Sequence, residues 1–149
     1  ARKARALVLA SIRETYEETA LMIGKNESKN TTSKSIWNDF QKAGITPSLD
    51  GIEVFGRAIT PPHRHKRFDA WFFIKNIKTP KVPDIFDTAE LEDVAWFTLE
   101  QIWELNLQRA TKMMLKVLEE YLNYKSPPPY IFFSRNKSGK FITDTYPKA

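Results

Sequence analysis

Apolar side chains recur three and four positions apart over residues 4–23, and this spacing predicts an amphipathic helix. Gly24 follows the pattern, and we expect the helix to stop there. The clearest amphipathic helix is predicted over residues 107–124, before the prolines at 127–129. The apolar positions of the first helix are Leu7, Val8, Ile12, Tyr16, Leu21 and Ile23, and those of the second are Met113, Met114, Val117, Leu118, Tyr121 and Leu122.

Two shorter helices are predicted between these. The stretch "SIWNDFQKAG" has Ser33 or Ser35 as a cap and Gly44 at its end, with Trp37 and Phe40 as core anchors. A second short helix, "LEQIWEL", follows a predicted strand in "ELEDVAWFTL". The polar stretch between the first two helices, "KNESKNTTSK", has no periodicity and is predicted to be a surface loop.

The middle of the chain alternates with the two-residue period of strands. "GIEVFGRAIT" and "FDAWFFIK" are predicted to pair, joined by the basic connection "PPHRHKR". The segment "TPKVPDIFD" is predicted to be a proline-punctuated loop. Near the end, "YIFFSRNKSGKFITD" predicts a hairpin with "NKSG" at its turn. The order of elements indicates a mixed α/β layer protein.

The composition narrows the classes of protein. A chain of 149 residues fits one domain, and a net charge of +5 favours acidic partners: nucleic acid, a membrane surface or a small polyphosphate. No apolar run is long enough for a membrane span, and no leader precedes the first helix, so we expect a cytoplasmic protein. Because the chain has no cysteine, a bound metal would need oxygen ligands or His63 and His65.

The stretch "RETYEETAL", residues 13–21, carries the strongest candidate chemistry. Glu14, Glu17 and Glu18 lie three and four positions apart, so a helix places them along one edge. Their mutual repulsion is offset by solvent, by a basic partner or by a divalent cation. Magnesium prefers oxygen ligands and is commonly held by one or two carboxylates together with substrate phosphates. Arg13, four positions before Glu17, would hold that carboxylate in place.

The same stretch resembles the second half of the Nudix box, written R-E-aliphatic-x-E-E-x-G-aliphatic. "ELEDVAWFTLEQIWEL" and "RAITPPHRHKRFDAWFF" are also similar to segments of this family, so the resemblance spans roughly residues 4–122. It implies an α/β/α sandwich with a mixed sheet and an Mg²⁺- or Mn²⁺-dependent hydrolysis of a nucleoside diphosphate linked to a further group. The residues that fall on box positions are Arg13, Glu14, Glu17, Glu18 and Leu21.

The resemblance also implies roles for individual residues. Glu17 and Glu18 would be metal ligands, and Glu14 would be a ligand or the proton acceptor. Arg13 would orient the carboxylates. Glu90, at the acidic position before the family's tryptophan, would be a further ligand or base.

Three residues depart from the box. Arg5 stands where the first half of the box has a glutamate, Thr15 where an aliphatic residue is usual, and Ala20 where the box has glycine. Because the family's fold places strands before the box helix, we expect upstream residues in the parent protein.

The basic cluster "HRHKR", residues 63–67, is the second candidate site, because a basic turn can bind the phosphates or base of a nucleotide. His63 and His65 either belong to an exposed turn or contact substrate, and a zinc site lacks an evident third ligand. The residues predicted to contact substrate are Arg57, Arg64, Lys66 and Arg67.

Other side chains admit two interpretations. Arg57 and Asp69, on adjacent predicted strands, form either a cross-strand ion pair or a substrate contact. Trp71, Phe73 and Trp96 either stack on a nucleobase or belong to the core, and their strand positions favour the core.

Three functions are consistent with these residues. The first is a Nudix hydrolase acting on a small phosphorylated, nucleotide-like substrate, with a homodimer as a guess from the resemblance. The second is a Nudix-fold module that binds a nucleotide without cleaving it, which Arg5 favours. The third is a basic nucleic-acid-binding domain, supported only by scattered lysines and the "HRHKR" turn. We expect no membrane partner.

Overall fold

The computed structural model describes residues 2–26, 36–78, 85–86, 91, 94–124, 128–137 and 140–148. The chain divides into two compact units, residues 1–52 with 76–96 and residues 53–75 with 97–149. The elements in chain order are α1 (Arg2–Thr19), β1 (Gly24–Asn26), α2 (Asn38–Lys42), β2 (Ile45–Pro47), β3 (Ile52–Ile59), β4 (Asp69–Lys75), β5 (Ile85–Phe86), β6 (Val94–Ala95), α3 (Leu99–Glu104), α4 (Arg109–Leu122), β7 (Tyr130–Lys137) and β8 (Lys140–Pro147).

Helix α1 confirms the first predicted helix but ends earlier than expected. Its last residue is Thr19, so Leu21 and Ile23 lie beyond it and Gly24 begins β1. The turn is instead made by Ala20, which has φ +54° and donates its backbone N–H to the Tyr16 carbonyl at 2.8 Å. A residue that takes the left-handed conformation directly after a helix is usually a glycine.

The conformation of Ala20 leads to a stability prediction. We expect Ala20→Gly to raise the free energy of unfolding by about 0.5–1 kcal/mol. The left-handed region costs an L-residue about 1–2 kcal/mol, and glycine avoids this cost but loses more conformational entropy on folding, which offsets part of the gain. Urea denaturation measures the change. The matched control is Ala43→Gly at φ −79°, where glycine should lower stability by loosening the unfolded chain. Equal effects of both substitutions would exclude the φ angle as the cause.

Helix α2 confirms the second predicted helix in shortened form. Phe40 is 1% exposed, and its ring meets Tyr16 and Trp37 edge-on, with centroids 5.2 Å away in each case. Gly44 ends the helix with φ +67°, as predicted. Ser33 and Ser35 lie outside the described residues. Because the aromatic contact joins α2 to α1, Phe40 is the main packing anchor between these two helices.

Two small antiparallel pairs were not predicted. β1 pairs with β2, Lys25 facing Thr46, and β5 pairs with β6, Phe86 facing Val94. The described part of the predicted strand in "ELEDVAWFTL" contains β6, and most of the predicted loop "TPKVPDIFD" lies outside the described residues, as does most of the "KNESKNTTSK" loop. Helix α3 is as predicted and starts with a capping box between Thr98 and Gln101.

The second unit contains a four-stranded mixed sheet with the order β4-β3-β7-β8. β7 and β8 form the predicted antiparallel hairpin, and residues 138–139 of its turn lie outside the described part. β3 and β4 are neighbours, as predicted, and Thr60 donates its N–H to the Phe68 carbonyl where their connection closes. β7 runs parallel to β3, Arg57 facing Phe133. The chain is therefore a mixed α/β protein.

Helix α4 supplies the core of this unit. The buried cluster contains apolar residues from α4 and the sheet, with Met113 and Leu118 packed at its edge, as the periodicity predicted. Leu122 is an exception, since it is 51% exposed. The cluster consists of Phe55, Met114, Val117, Tyr121 and Phe132.

A partly buried polar contact ties α4 to β3. The Tyr121 hydroxyl donates to a Glu53 carboxylate oxygen at 2.7 Å, and Lys148 donates to the same oxygen at 3.4 Å. Burial, reinforced by Glu53, raises the pKa of Tyr121 to about 12, so the hydroxyl stays protonated at neutral pH.

None of the helices among the described residues has the length and apolar character that crossing a bilayer requires.

Candidate functional site

The predicted glutamate edge lies near the carboxyl end of α1. Arg13 Nη1 donates to both carboxylate oxygens of Glu17, at 2.9 Å each, and its Nη2 donates to Glu14. Glu14 is half exposed, whereas Glu17 is about one-third exposed, and Glu18 is exposed on the same edge. One guanidinium thus holds two carboxylates side by side and offsets part of their repulsion.

The box positions around this edge fit the helix. Thr15, where the box has an aliphatic residue, donates its hydroxyl to the Ser11 carbonyl at 2.8 Å, so the hydroxyl is satisfied within the helix. Ala20, at the glycine position of the box, has the left-handed conformation described above. The local backbone of α1 therefore accommodates both Thr15 and Ala20.

The metal site stays a prediction. Across the described residues, no group of three or more acidic or histidine side chains is placed to hold a metal ion. Glu90 lies outside these residues, so its predicted role as a ligand or base has no structural description. A magnesium site at α1 would thus use one or two carboxylates, which is a number that Mg²⁺ commonly takes from protein.

The basic cluster lies on the connection between β3 and β4 in the second unit. Residues 62–69 are all exposed, and the backbone N–H of Arg64 donates to the Pro61 carbonyl at 3.2 Å. His63 and His65 therefore lie on an exposed turn, which was the first of the two interpretations given for them. The exposure leaves the side chains of Arg64, Lys66 and Arg67 accessible to an anionic ligand.

Arg57 forms the cross-strand ion pair with Asp69. Its Nε donates to Asp69 Oδ1 at 2.7 Å, and its Nη2 donates to Oδ2 at 2.5 Å. This two-point hydrogen bond from the guanidinium lowers the pKa of Asp69, and the same bond raises the pKa of Arg57. The ion-pair interpretation is therefore confirmed, while the substrate contact of Arg57 stays a prediction.

The lowered pKa of Asp69 gives a pH dependence. Since the folded carboxyl has the lower pKa, its stabilising contribution is present above the unfolded pKa, about 3.9, and is lost as the pH falls through the folded value. We expect Asp69→Asn to destabilise the protein at pH 6 and to have little effect near pH 2. Urea denaturation at both pH values measures the loss of stability. The comparison variant is Asp144→Asn, whose carboxylate accepts a longer hydrogen bond, at 3.3 Å, from Arg135 Nη2. We expect it to lower the stability at pH 6 by less than Asp69→Asn does. A loss that is the same at pH 2 and pH 6 would contradict it.

Arg57 also belongs to a surface that the sequence did not reveal. Its guanidinium carbon lies 4.7 Å from the Trp71 ring centroid and 5.2 Å from that of Phe133, and the guanidinium of Arg135 lies 5.5 Å from Phe133. Tyr146 meets Phe133 edge-on. We call these five residues the arginine–aromatic face. The alternation of "YIFFSR" placed Phe133 and Arg135 on one side of a strand, but only the parallel pairing with β3 brings Arg57 beside them.

The aromatic predictions have mixed outcomes. Trp71 and Phe73 are half-buried in β4, but the side chains of this strand that pack against the buried cluster are those of Phe72 and Ile74. Since side chains alternate along a strand, Trp71 and Phe73 lie on the opposite face, and the core interpretation is not confirmed for them. For Trp96 that interpretation is wrong, because the side chain is 52% exposed.

Comparison with protein-family models, with curated proteins and with solved structures finds no match for this chain. The functional interpretation therefore depends on the residues and their geometry.

Proposed function

We propose that the chain is a Nudix-type pyrophosphohydrolase that uses Mg²⁺ to cleave the diphosphate linkage of a nucleoside diphosphate bonded to a further group. The observation that carries the proposal is the edge of α1, where Arg13 holds Glu14 and Glu17 side by side. The left-handed Ala20, one residue beyond the helix at the position of the box glycine, supports it further.

The residues of this edge fit magnesium in their chemistry. Carboxylate oxygens are the ligands that Mg²⁺ prefers, and one or two of Glu14, Glu17 and Glu18 would hold it, with waters and substrate phosphates completing the shell. When bound, the ion supplies charge stabilisation at the diphosphate and makes a coordinated water more acidic.

The side chains of the edge have separable roles in the proposal. Arg13 positions Glu17 through hydrogen bonds to both of its oxygens, which restricts the carboxylate to one orientation. Glu14 accepts a hydrogen bond from the same guanidinium through one oxygen, and in the proposal it is either a ligand of the metal or the proton acceptor. Glu18 is exposed and approachable from solvent. The roles of Arg57, Arg64, Lys66 and Arg67 in substrate binding stay part of the proposal.

A second function is favoured by one specific observation. Arg5 occupies the position where the first half of the box has a glutamate, and Arg13 already engages both Glu14 and Glu17. An edge with fewer negative charges binds a divalent cation less strongly. The alternative is therefore a Nudix-fold module that binds a nucleotide without turnover.

A turnover assay separates the two functions. The protein is incubated with a panel of dinucleotide, nucleoside-sugar and coenzyme diphosphates, with Mg²⁺ or with EDTA, and the released products are quantified by chromatography. The hydrolase predicts products with Mg²⁺ and none with EDTA. Nucleotide binding by calorimetry without products in either buffer would favour the binding module and reject the hydrolase.

A further inference from the structure

A concave site lies in the first unit, beside the amino-terminal half of α1. It is a cleft of about 220 Å³ between α1, β1 and the connection from β2 to β3. Pockets for drug-sized ligands are roughly 300–1,000 Å³, so this cleft suits one small chemical group. Its polar lining residues are Arg5, Lys25, Thr46, Ser48 and Asp50.

The charges of the lining favour an anion. Lys25 and Asp50 form an ion pair across the cleft and so offset each other. Arg5 forms no ion pair with another residue of the described ranges, which leaves the lining with a net positive charge. A guanidinium remains protonated at any physiological pH and donates several hydrogen bonds in a planar fork that matches oxyanions.

The hydroxyl groups add donors at the same place. The Ser48 hydroxyl oxygen accepts the backbone N–H of Asp50 at 3.3 Å, an interaction that orients this oxygen and leaves the hydroxyl proton to donate. Thr46 also lines the cleft. Guanidinium and hydroxyl donors around a small cleft suit a tetrahedral oxyanion, which accepts hydrogen bonds in several directions.

We propose that this cleft binds a phosphate group, free or carried as a monoester, with Arg5 as its principal contact. The site does not depend on the proposed hydrolase: it needs no divalent metal, and none of its residues belongs to the glutamate edge of α1. The arginine that weakens a cation site at this position of the box thereby gives the helix an anion site.

Calorimetric titration of the full chain with inorganic phosphate, in magnesium-free buffer with EDTA, tests the proposal. We expect saturable binding that Arg5→Gln weakens about tenfold or more, since a hydrogen bond to a charged group is lost. Lys3→Gln is the matched control: it removes the same charge from an exposed position of the same helix outside the cleft, and should change affinity less than about twofold. Circular dichroism checks that both variants keep their helices.

Further outcomes of the titrations either assign the kind of phosphate that binds or overturn the proposed site. Tighter binding of adenosine monophosphate than of phosphate would assign the site to an ester, and equal binding to the free ion. Equal weakening by Arg5→Gln and Lys3→Gln, or no saturable binding by the wild-type chain, would overturn the proposal. Because turnover is absent from this assay, its failure is distinguishable from failure of the proposed hydrolase.

Discussion

Glu17→Gln is expected to lower diphosphate hydrolysis by about 10²-fold or more, because a positioned acid–base or metal-binding group contributes on this scale. Glutamine keeps the size of the side chain and one oxygen acceptor. It loses the charge, and with it the two-oxygen acceptance of the Arg13 Nη1 bonds at 2.9 Å. The expected result is a lower kcat together with a higher Mg²⁺ concentration for half-maximal rate.

The control for this prediction is a glutamate outside the site. Glu104→Gln changes an exposed residue of α3 to which the proposal gives no role, and should leave both kcat and the Mg²⁺ dependence within about twofold of wild type. Arg13→Lys keeps the positive charge but not the fork that reaches Glu14 and Glu17, and is expected to raise the Mg²⁺ requirement. Unchanged turnover in Glu17→Gln would exclude the glutamate edge as the catalytic site.

Phe40→Ala is expected to lower the free energy of unfolding by about 3–5 kcal/mol, the usual loss when a buried phenylalanine is truncated. The side chain is 1% exposed and makes edge-on contacts with Tyr16 and Trp37. Its removal leaves a cavity between α1 and α2 and also removes the aromatic pairs. Thermal and urea denaturation measure the loss.

Phe68→Ala is the matched control, since it makes the same chemical change at a side chain that is 63% exposed. It should alter stability by no more than about 0.5 kcal/mol. If both substitutions had the same small effect, Phe40 would not be the packing anchor of these helices.

The long periodic elements were predictable because their patterns are local. α4 follows the apolar spacing of residues 107–124, and the β7–β8 hairpin follows alternation on either side of a glycine-containing turn. The glutamate edge was equally predictable, because the helical period alone places Glu14, Glu17 and Glu18 together. Its bond to Arg13 was anticipated on the same ground.

Short and long-range features were not predictable in this way. The strands β1 and β2, of three residues each, have too few positions for a period to appear. The cleft at Arg5 needs Ser48 and Asp50 from a distant part of the chain, and the arginine–aromatic face needs Arg57 beside Phe133. Pairing between segments far apart is decided by their packing, which no local pattern records.

By itself the sequence determined the long helices and strands and which carboxylates share the edge of α1, because these depend on neighbours within a turn or two. The tertiary structure decided where α1 ends, through the left-handed conformation of Ala20. It also decided that Arg57 donates its hydrogen bonds to Asp69. It decided as well that Arg5 lines a cleft. Each of these depends on the free energy of contacts between residues or on a backbone conformation that the periodicity of the chain does not contain.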